Sequence, residues 1–551
     1  MSVSEAVFSR WPILLAYLSR IMSVSIEDFG RLLAVVVALR AVCLISSCLA
    51  TISISTALLI ALFAAYAFHE IYWKRRKLPP GPVPWLVLGN MPLILKGQCI
   101  YDLWLSLKQQ YGPVFTFWIG PIPLVMVCDC AMMKEYFVKY ADVFSGRWRN
   151  FVTDSFMGGA NGVVQIDGEK WREQRRFALH VLRDFGFGRD IMETKVMKEV
   201  DALVECLSLE LGNQSRCVLD LSRPLSVSVG NIINSALFGY RFSQDSPLFF
   251  ELQKALDRQS ALVVQPIMGA YIVAPWSRHV PGLRGPWQRL MKNRDVLWSF
   301  LISQVEEHKK DFDPSIDAPD FTFAYLKEMH RRKENGYPMG HFSEWQLTML
   351  LLDLWFAGME TTITTLKWGF LFMMLNPKVQ EKIHKELDEQ CPEQEAIAMA
   401  DRTKLPYTTA AVNEIQRMAN ILPVNLLRTA SETKTMGPYT YEQGTLVIPQ
   451  ISVALFDPVN FCEPQKFDPS RFLEADGKTL KKVDGMLPFS VGKRQCLGES
   501  LARVELFMIF ANLMHKFRFS VADGQSTPSL IRKPGLTVSP QKYLCQIERR
   551  S

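Results

Sequence analysis

The sequence has little excess charge of either sign. Its 62 Lys and Arg against 55 Asp and Glu leave a formal net charge of +7 over 551 residues. This modest excess does not indicate a nucleic-acid partner, because such proteins concentrate basic residues on one face. Gly and Pro are also few, with 31 of each, whereas 48% of the residues are apolar. That much apolar mass can form a large core, which excludes a disordered, collagen-like or low-complexity protein.

Several cofactor motifs are absent. No Gly-x-x-x-x-Gly-Lys-Ser/Thr phosphate loop occurs, and Gly186-Phe-Gly188 lacks the third glycine of a dinucleotide loop. No His-x-x-x-His pair or double Cys-x-x-Cys is present for zinc. The eleven cysteines show no paired spacing that indicates a disulfide framework. We therefore expect the body of the protein to face a reducing, cytosolic compartment.

One long uncharged run lies near the N-terminus, from Ala41 to Phe68. A helix needs only ~20 apolar residues to cross a bilayer. The basic cluster Lys74-Arg75-Arg76-Lys77 follows, and by the positive-inside rule it keeps the rest of the chain cytoplasmic. We predict an N-terminal extension over residues 1–40 and a transmembrane anchor over residues 41–72. A cleaved signal peptide and a buried core helix are the alternatives.

The next segment, residues 73–84, combines this basic stop with four prolines between positions 79 and 84. Proline fixes φ and removes a backbone donor, so the segment is predicted to be a stiff, extended hinge. Residues 85–551 show no second linker and no internal repeat, which indicates one mainly helical domain with small β-sheets. The strand candidates are Val114–Ile119, Leu124–Cys128 and Thr445–Ile448.

A single cysteine lies between a glycine-containing turn and a predicted helix, in the sequence Phe489-Ser-Val-Gly492-Lys-Arg494-Gln-Cys496-Leu-Gly498. Backbone N–H groups and the helix dipole at such a position favour a thiolate. Gly492 permits the tight turn, and Gly498 allows a flat ligand to approach. Arg494 adds a cation that can pair with an anion beside the sulfur. The pattern predicts a thiolate able to ligate a metal, although a lone cysteine is more often a packed core residue.

A long helix is predicted between Ser343 and the Asn376-Pro377 stop. Ser343 and Gln346 have the spacing of a capping box. Ala357-Gly-Met-Glu360-Thr361-Thr lies in the middle, where an interior glycine costs ~1 kcal/mol against alanine. Threonine hydroxyls can compete for backbone carbonyls and bend a helix. We expect a local opening there that admits O2 and water; the alternative is a tolerated glycine in a buried helix.

Two short charged motifs have helical spacing. Glu414 and Arg417 stand three positions apart, which suits an ion pair on one helical face. Trp171 and Arg175 stand four positions apart and offer an indole and a guanidinium donor to carboxylates. Each could equally be an exposed pair of little energetic value.

The cysteine loop, Phe-x-x-Gly-x-Arg-x-Cys-x-Gly, resembles the haem-binding loop of the cytochromes P450. Ala-Gly-x-Glu-Thr-Thr is similar to the oxygen-activation motif of the same family. The resemblance implies the cytochrome P450 fold, mainly α with small β-sheets, and haem b whose axial thiolate is Cys496. It also implies that Thr361 hydrogen-bonds the bound dioxygen and that Glu360 relays protons to it.

The resemblance assigns further residues. Trp171, Arg175 and Arg428 are expected to contact the haem propionates. Glu414 and Arg417 are expected to form a buried structural network with Arg471. The cofactor-binding set as a whole is Trp171, Arg175, Arg428, Phe489, Arg494 and Gly498.

The segment 171–186 resembles the animal microsomal branch of the family. This implies a membrane-anchored monooxygenase in the endoplasmic reticulum, with a cytosolic catalytic domain, acting on a fatty acid, steroid or xenobiotic. Since the chain has no nucleotide motif, electrons are expected from NADPH through a separate reductase, with cytochrome b5 as a further partner and O2 as co-substrate. The alternatives are a haem-thiolate isomerase or dehydratase that acts on hydroperoxides, and a non-catalytic haem carrier.

The expected substrate pocket is mostly apolar. Its predicted walls are residues 147–164, the helix face around Asp353, Leu354 and Ala357, residues 421–427 and residues 534–538. The polar side chains expected to meet substrate are Arg147, Arg149, Asp154 and Asp353.

Overall fold

The structure is a computed structural model in which the chain divides into two units, Met1–Lys74 and Arg75–Ser551. The residues that it describes are 34–41, 54–95, 99–186, 190–392 and 396–550. Most of the predicted extension, residues 1–40, therefore lies outside the described residues.

The first unit is helical where it is described. Residues 34–41 form a helix, and helix α1 spans Ile54–Ile71. Leu59 and Leu62 are among its exposed apolar side chains. By length and composition, Thr56–Arg75 is able to cross a membrane, with a mean hydropathy of 1.3. The predicted anchor thus coincides with a suitable helix in its C-terminal part, and residues 42–53 lie outside the described residues.

The second unit is built mainly from helices. They are α2 (Met91–Leu95), α3 (Ile100–Tyr111), α4 (Cys130–Lys134), α5 (Phe151–Met157), α6 (Gly168–Asp184), α7 (Asp190–Leu211), α8 (Ser222–Phe238), α9 (Pro247–Val263), α10 (Ile267–Val273), α11 (Arg284–Lys310), α12 (Phe321–Glu334), α13 (Glu344–Leu375), α14 (Pro377–Gln390), α15 (Pro406–Ala419), α16 (Ile451–Ala454) and α17 (Glu499–Lys516). A π-helical turn, Glu135–Lys139, follows α4 directly.

Short strands form small sheets at the edges of this helical body. They are β1 (Val114–Ile119), β2 (Ile122–Val127), β3 (Gly146–Arg147), β4 (Arg216–Leu219), β5 (Arg428–Thr429), β6 (Lys434–Met436), β7 (Tyr439–Tyr441), β8 (Leu446–Pro449), β9 (Phe517–Ser520), β10 (Arg532–Lys533), β11 (Ser539–Pro540) and β12 (Cys545–Arg549).

The largest sheet has the order β1-β2-β8-β5-β3. The apolar, β-branched segments around Gly120 form the β1–β2 hairpin, with Val114 opposite Val127. Strand β8 pairs in parallel with β2 and antiparallel with β5, and β5 pairs antiparallel with β3. The three predicted strands are confirmed, with bounds that differ by no more than two residues from those expected.

Helix α13 crosses the core. Ser343 caps it as predicted, since the Ser343 hydroxyl accepts a hydrogen bond from the Gln346 N–H (3.1 Å). The helix is apolar on nearly all sides and packs against α8, α11, α15 and α17, as expected of a fully buried helix. A capping box also needs a hydrogen bond from the Ser343 N–H to the Gln346 side chain, and this part of the prediction is wrong. The Gln346 side chain instead donates to the Gly162 carbonyl (2.7 Å) and accepts from the Gly162 N–H (3.1 Å).

The predicted opening of α13 at Gly358 is also wrong, because the helix is continuous from Glu344 to Leu375. A Cβ at Gly358 would stand 2.9 Å from Cδ1 of Ile233 on α8. The absence of a side chain at Gly358 therefore allows α13 and α8 to pack closely. The Thr361 hydroxyl donates to the Ala357 carbonyl (2.7 Å) within the helix, so it adds to the backbone ladder without breaking it.

Candidate functional site

The cysteine segment forms a tight loop against the first turn of α17. The Cys496 N–H donates to the Phe489 carbonyl (3.0 Å), and Gly492–Arg494 make a 3₁₀ turn. Gly492 has φ +76°, and a Cβ there would lie 1.7 Å from the Phe137 carbonyl oxygen, so no other residue fits. The predicted turn is confirmed, and the Phe137 segment fixes its position.

The Cys496 side chain lies in the loop just before α17. It is accessible, yet burial among its neighbours raises the pKa of the thiol, and the Gly498 N–H that donates to the sulfur lowers it. A Cβ at Gly498 would meet no atom within 4 Å. The sulfur is therefore accessible, and the space beside Gly498 is open. This arrangement fits a flat ligand bound at the sulfur.

Helix α13 borders the same region of the interior. Ala357 is exposed and Thr361 is half-buried, although this helix lies in the core. Thr361 and Phe489 line one cavity together, so the expected oxygen-activation threonine and the cysteine loop meet there. The full lining is Thr361, Thr362, Thr365, Gln416, Asn420, Ile421, Leu422, Ile451, Leu455, Pro488, Phe489, Ala502 and Leu506.

Four arginines converge beside this loop: Arg147 on β3, Arg175 on α6, Arg428 on β5 and Arg494 in the loop itself. Arg147, Arg428 and Arg494 are buried. Each guanidinium donates to carbonyls of surrounding loops. The acceptors are the carbonyls of Val164, Leu426 and Leu427 for Arg147, of Gln495 for Arg175, of Val491 for Arg428, and of Ser145 and Ile166 for Arg494.

Positive charge in this cluster is poorly compensated. Burial, reinforced by the neighbouring guanidiniums, lowers the pKa of Arg494 to about 8 and that of Arg428 to about 9. Burial likewise lowers the pKa of Arg147 to about 10, against the opposing charges of Asp353 and Asp167. None of the cluster's guanidiniums forms an ion pair with a carboxylate within the described part of the chain. Such a site stabilises an anionic ligand.

Two donors of the site have no protein acceptor among the described residues. They are the Trp171 indole Nε1 and Nη1 of Arg494, and both atoms are buried. The Arg494 guanidinium lies 3.7 Å from the Trp171 ring centroid, so the two donors are neighbours. Buried donors are normally satisfied, and the carboxylates of a haem would satisfy these two. The donor set therefore fits the haem that the sequence resemblance implies.

The structure gives Arg147 a different role from the predicted one. It was expected as a polar contact for substrate, but its buried guanidinium belongs to the arginine cluster. Arg147 and Arg428 stand directly opposite each other on β3 and β5, where like charges destabilise a sheet. The signal for this arrangement is the strand register, which no contiguous motif reveals.

The other expected polar contacts for substrate are also used elsewhere. Asp353 accepts from the Val163 and Val164 N–H groups (2.7 and 2.8 Å), and burial raises the pKa of its carboxyl to about 6. Arg149 and Asp154 pair with each other at 2.8 Å. Asp353 thus anchors a loop to α13, which corrects its predicted role.

Glu360 points to a different set of partners from those of Thr361. Its Oε1 accepts from the hydroxyls of Ser260 on α9 and Thr537 in the C-terminal turn, both at 2.6 Å. Burial raises the pKa of this carboxyl to about 7. Its Oε2 is buried without a partner among the described residues. The sequence resemblance implies that Glu360 relays protons to the bound dioxygen, but the motif does not reveal these two hydroxyls.

The Glu414 network links α15 to a segment that precedes the cysteine loop in the sequence. Arg417 donates to both oxygens of Glu414 (2.6 and 2.8 Å), and Arg471 adds a contact at 3.4 Å. The side chains of Glu414 and Arg417 are fully buried. The predicted buried network is therefore present, and it joins α15 to the segment that precedes the loop.

Comparison with known proteins agrees with this geometry. A family model described as Cytochrome P450 matches residues 79–547. Cytochrome P450 2J2 of Homo sapiens is 36% identical over 487 residues, which is 88% of this chain and 94% of that protein. Cytochrome P450 2B4 of Oryctolagus cuniculus is 36% identical, covering 80% of this chain and 87% of that protein. Cytochrome P450 2A5 of Mus musculus is 35% identical, covering 88% of this chain and 97% of that protein.

Proposed function

Because this chain belongs to the cytochrome P450 family and is a haem-thiolate monooxygenase, we propose that it oxygenates apolar substrates in the cavity bordered by Thr361 and the Cys496 loop. The observation that carries the proposal is the position of Cys496, accessible but desolvated, beside uncompensated guanidiniums. Eight of the 13 residues that line the cavity are apolar, and none of the 13 is charged, which suits an apolar substrate.

Haem would be held by the residues assembled around the loop. Cys496 would supply the thiolate ligand, and a thiol bound to a metal is deprotonated outright. The buried donors of Trp171 and Arg494 that lack an acceptor among the described residues would bind the propionates, with Arg147, Arg175 and Arg428 beside them. Gly498 would leave room for the ring. The thiolate-ligated iron supplies reductive activation of O2. The protein's own contribution is to hold this group, exclude water and deliver protons.

Thr361 is proposed to handle protons in this cavity. Its hydroxyl donates to the Ala357 carbonyl (2.7 Å), and this leaves the oxygen free to accept from water or a reacting group. A positioned side chain that takes part in proton transfer contributes typically 10²–10⁴-fold to a reaction step. We therefore assign Thr361 to proton transfer and Glu360 to its supply.

The test is reconstituted turnover of the full chain in membranes with NADPH, O2 and a P450 reductase. We expect an apolar substrate to be oxygenated in the wild type, and Thr361→Ala to lower product per NADPH by about tenfold or more while peroxide accumulates. Thr361→Ser keeps the hydroxyl and should retain coupling. Unchanged coupling in Thr361→Ala would contradict the assigned role. Turnover of a hydroperoxide without reductase would contradict the monooxygenase function.

Electrons are proposed to arrive from a separate NADPH-dependent reductase, with cytochrome b5 as a second donor. The support is the absence of a nucleotide motif in the sequence. The membrane is proposed to be that of the endoplasmic reticulum, with α1 as a single-pass anchor and the catalytic domain in the cytosol. This rests on the apolar stretch Thr56–Arg75 and the basic residues that end it.

Arg147→Leu is expected to weaken haem retention. The substitution removes one propionate donor and leaves the carbonyls of Val164 and Leu427 without their buried partner. Loss of one charge-assisted hydrogen bond typically costs ~1.5–3 kcal/mol, which corresponds to roughly a tenfold or greater rise in the haem dissociation rate. Haem transfer to apomyoglobin measures this rate. Arg149→Leu, which removes the neighbouring exposed arginine, is the control, and equal rates in the two variants would refute the assignment.

A further inference from the structure

The Glu360 carboxyl connects three elements that are distant in the sequence. Glu360 lies on α13, Ser260 on α9, and Thr537 in the turn between β10 and β11. Both hydroxyls donate to the same oxygen, Oε1, at 2.6 Å. Thr361 is the next residue of α13, yet Glu360 is not among the residues that line the Thr361 cavity. In this conformation, the carboxyl is held by α9 and the turn.

The turn itself is fastened at the same point. The Leu536 N–H donates to Oγ of Ser260 (3.0 Å) and lies 3.1 Å from the Ser260 carbonyl oxygen. A Cβ at Gly535 would stand 3.0 Å from the Ser260 hydroxyl oxygen, so the turn approaches α9 closely. Ser260 therefore accepts one hydrogen bond from the turn and donates another to Glu360. Any movement of the turn away from α9 disturbs both bonds.

The turn is also connected to the cavity wall. The Val538 N–H donates to the carbonyl of Ile421 (2.9 Å), and Ile421 lines the cavity with Thr361. The Val538 carbonyl accepts from the Trp368 indole (2.9 Å) on α13. Displacement of the Ile421 segment by a bound molecule would thus be transmitted through Val538 to its neighbour Thr537.

We propose that Ser260 and Thr537 are positioning residues for the oxygenation reaction, which hold the Glu360 carboxyl away from the Thr361 cavity until substrate displaces the turn. This inference rests on the proposed function, since it concerns when protons reach that cavity. We name the Ser260–Glu360–Thr537 hydrogen-bonded set the carboxyl latch. With the latch closed, proton delivery is slow and little O2 is reduced in the absence of substrate.

The charges around Glu360 suit this task. Burial raises the pKa of Glu360 to about 7, the Ser260 and Thr537 hydrogen bonds lower it, Asp257 on α9 raises it, and Lys367 on α13 lowers it. Lys533 on β10 acts on both Asp257 and Lys367. Both protonation states are therefore populated near neutral pH. When released, the protonated carboxyl gives its proton to the cavity, and bulk water returns one proton to the carboxylate.

The experiment compares the haem-loaded wild type with Ser260→Ala/Thr537→Val, measured without substrate. Amide hydrogen exchange of residues 535–538 reports whether the turn is released, and NADPH oxidation with peroxide formation reports proton delivery. We expect both to rise by about tenfold, the effect of losing one or more hydrogen bonds to a buried carboxylate. Ser303→Ala is the control, because among the described residues its hydroxyl donates to the Phe300 carbonyl within α11.

Glu360→Gln separates the position of the carboxyl from its proton. Its side-chain oxygen can still accept from both hydroxyls, so exchange of the turn should stay near wild type. Added to the double variant, Glu360→Gln should remove the rise in substrate-free NADPH oxidation while the fast exchange persists. The single variant Ser260→Ala serves if the double variant does not load haem.

Unchanged exchange in these variants would overturn the latch, as would faster exchange with no rise in NADPH oxidation. Either result would leave the proposed function intact if the wild type still oxygenates substrate with reductase. A wild type that forms no product with reductase would instead contradict the proposed function. The two failures are therefore distinguishable.

Discussion

Cys496→Ser is expected to reduce monooxygenase activity to background. A serine hydroxyl does not ionise at neutral pH and cannot replace the thiolate as axial ligand. The side chain is exposed, so the substitution removes little packing, and the fold should remain. The measurement is the Soret band of the reduced, CO-bound form, which should lose its thiolate-specific position together with product formation.

The matched control is Cys462→Ser. Cys462 is also an exposed cysteine, but it lies in the loop before Arg471, where the contact described for it is made by its backbone carbonyl. This variant should retain both the band and the activity. A thiolate-type band that persisted in Cys496→Ser would mean that another cysteine is the ligand, and the assignment of the site would fail.

The parts of this site that the sequence predicted are those with local causes. The Cys496 loop is contiguous, so its turn, glycine and helix start can be deduced from neighbouring residues. Helix α13 was bounded correctly by the Ser343 cap and by Pro377, since caps and proline act within one turn. These signals need no knowledge of the tertiary fold.

The parts that were missed depend on contacts between distant segments. Arg147 joins Arg428 only through the β3–β5 register, across about 280 positions. The partners of Glu360 lie 100 and 177 positions away, so its motif could not show where the carboxyl points. Gly358 was expected to open α13 because its packing against Ile233 on α8 is equally invisible in the sequence. At Gly358, helix propensity is overridden by tertiary packing.

The same distinction applies to the buried Glu414–Arg417 pair. Its spacing is local, but its further hydrogen bonds are to residues distant in the sequence. Arg417 pairs with Glu414 and also donates to the carbonyls of Leu455 (3.0 Å) and Pro464 (2.8 Å). The Glu414 carboxylate accepts from the Asp468 N–H (2.8 Å) as well. The pair thus holds the chain that leads toward the cysteine loop, and its value is structural rather than catalytic.

Arg417→Leu is therefore expected to destabilise the protein by about 3–5 kcal/mol, because it leaves the Glu414 carboxylate buried without its main partner. Arg471, at 3.4 Å, compensates only in part. Denaturant unfolding of the haem-loaded protein measures the loss, and a low yield of folded enzyme is expected beside it. Lys385→Ala, which breaks the exposed pair with Glu389 (3.7 Å), is the control and should cost about 0–1 kcal/mol.

The double variant Glu414→Leu/Arg417→Leu identifies the source of this cost. If the penalty comes from an unpaired buried charge, removing both charges should recover part of the stability that Arg417→Leu loses. If the penalty comes from the hydrogen bonds to Leu455, Pro464 and Asp468, the double variant should be less stable than either single variant. A cost below about 1 kcal/mol for Arg417→Leu, as for an exposed pair, would contradict the structural role altogether.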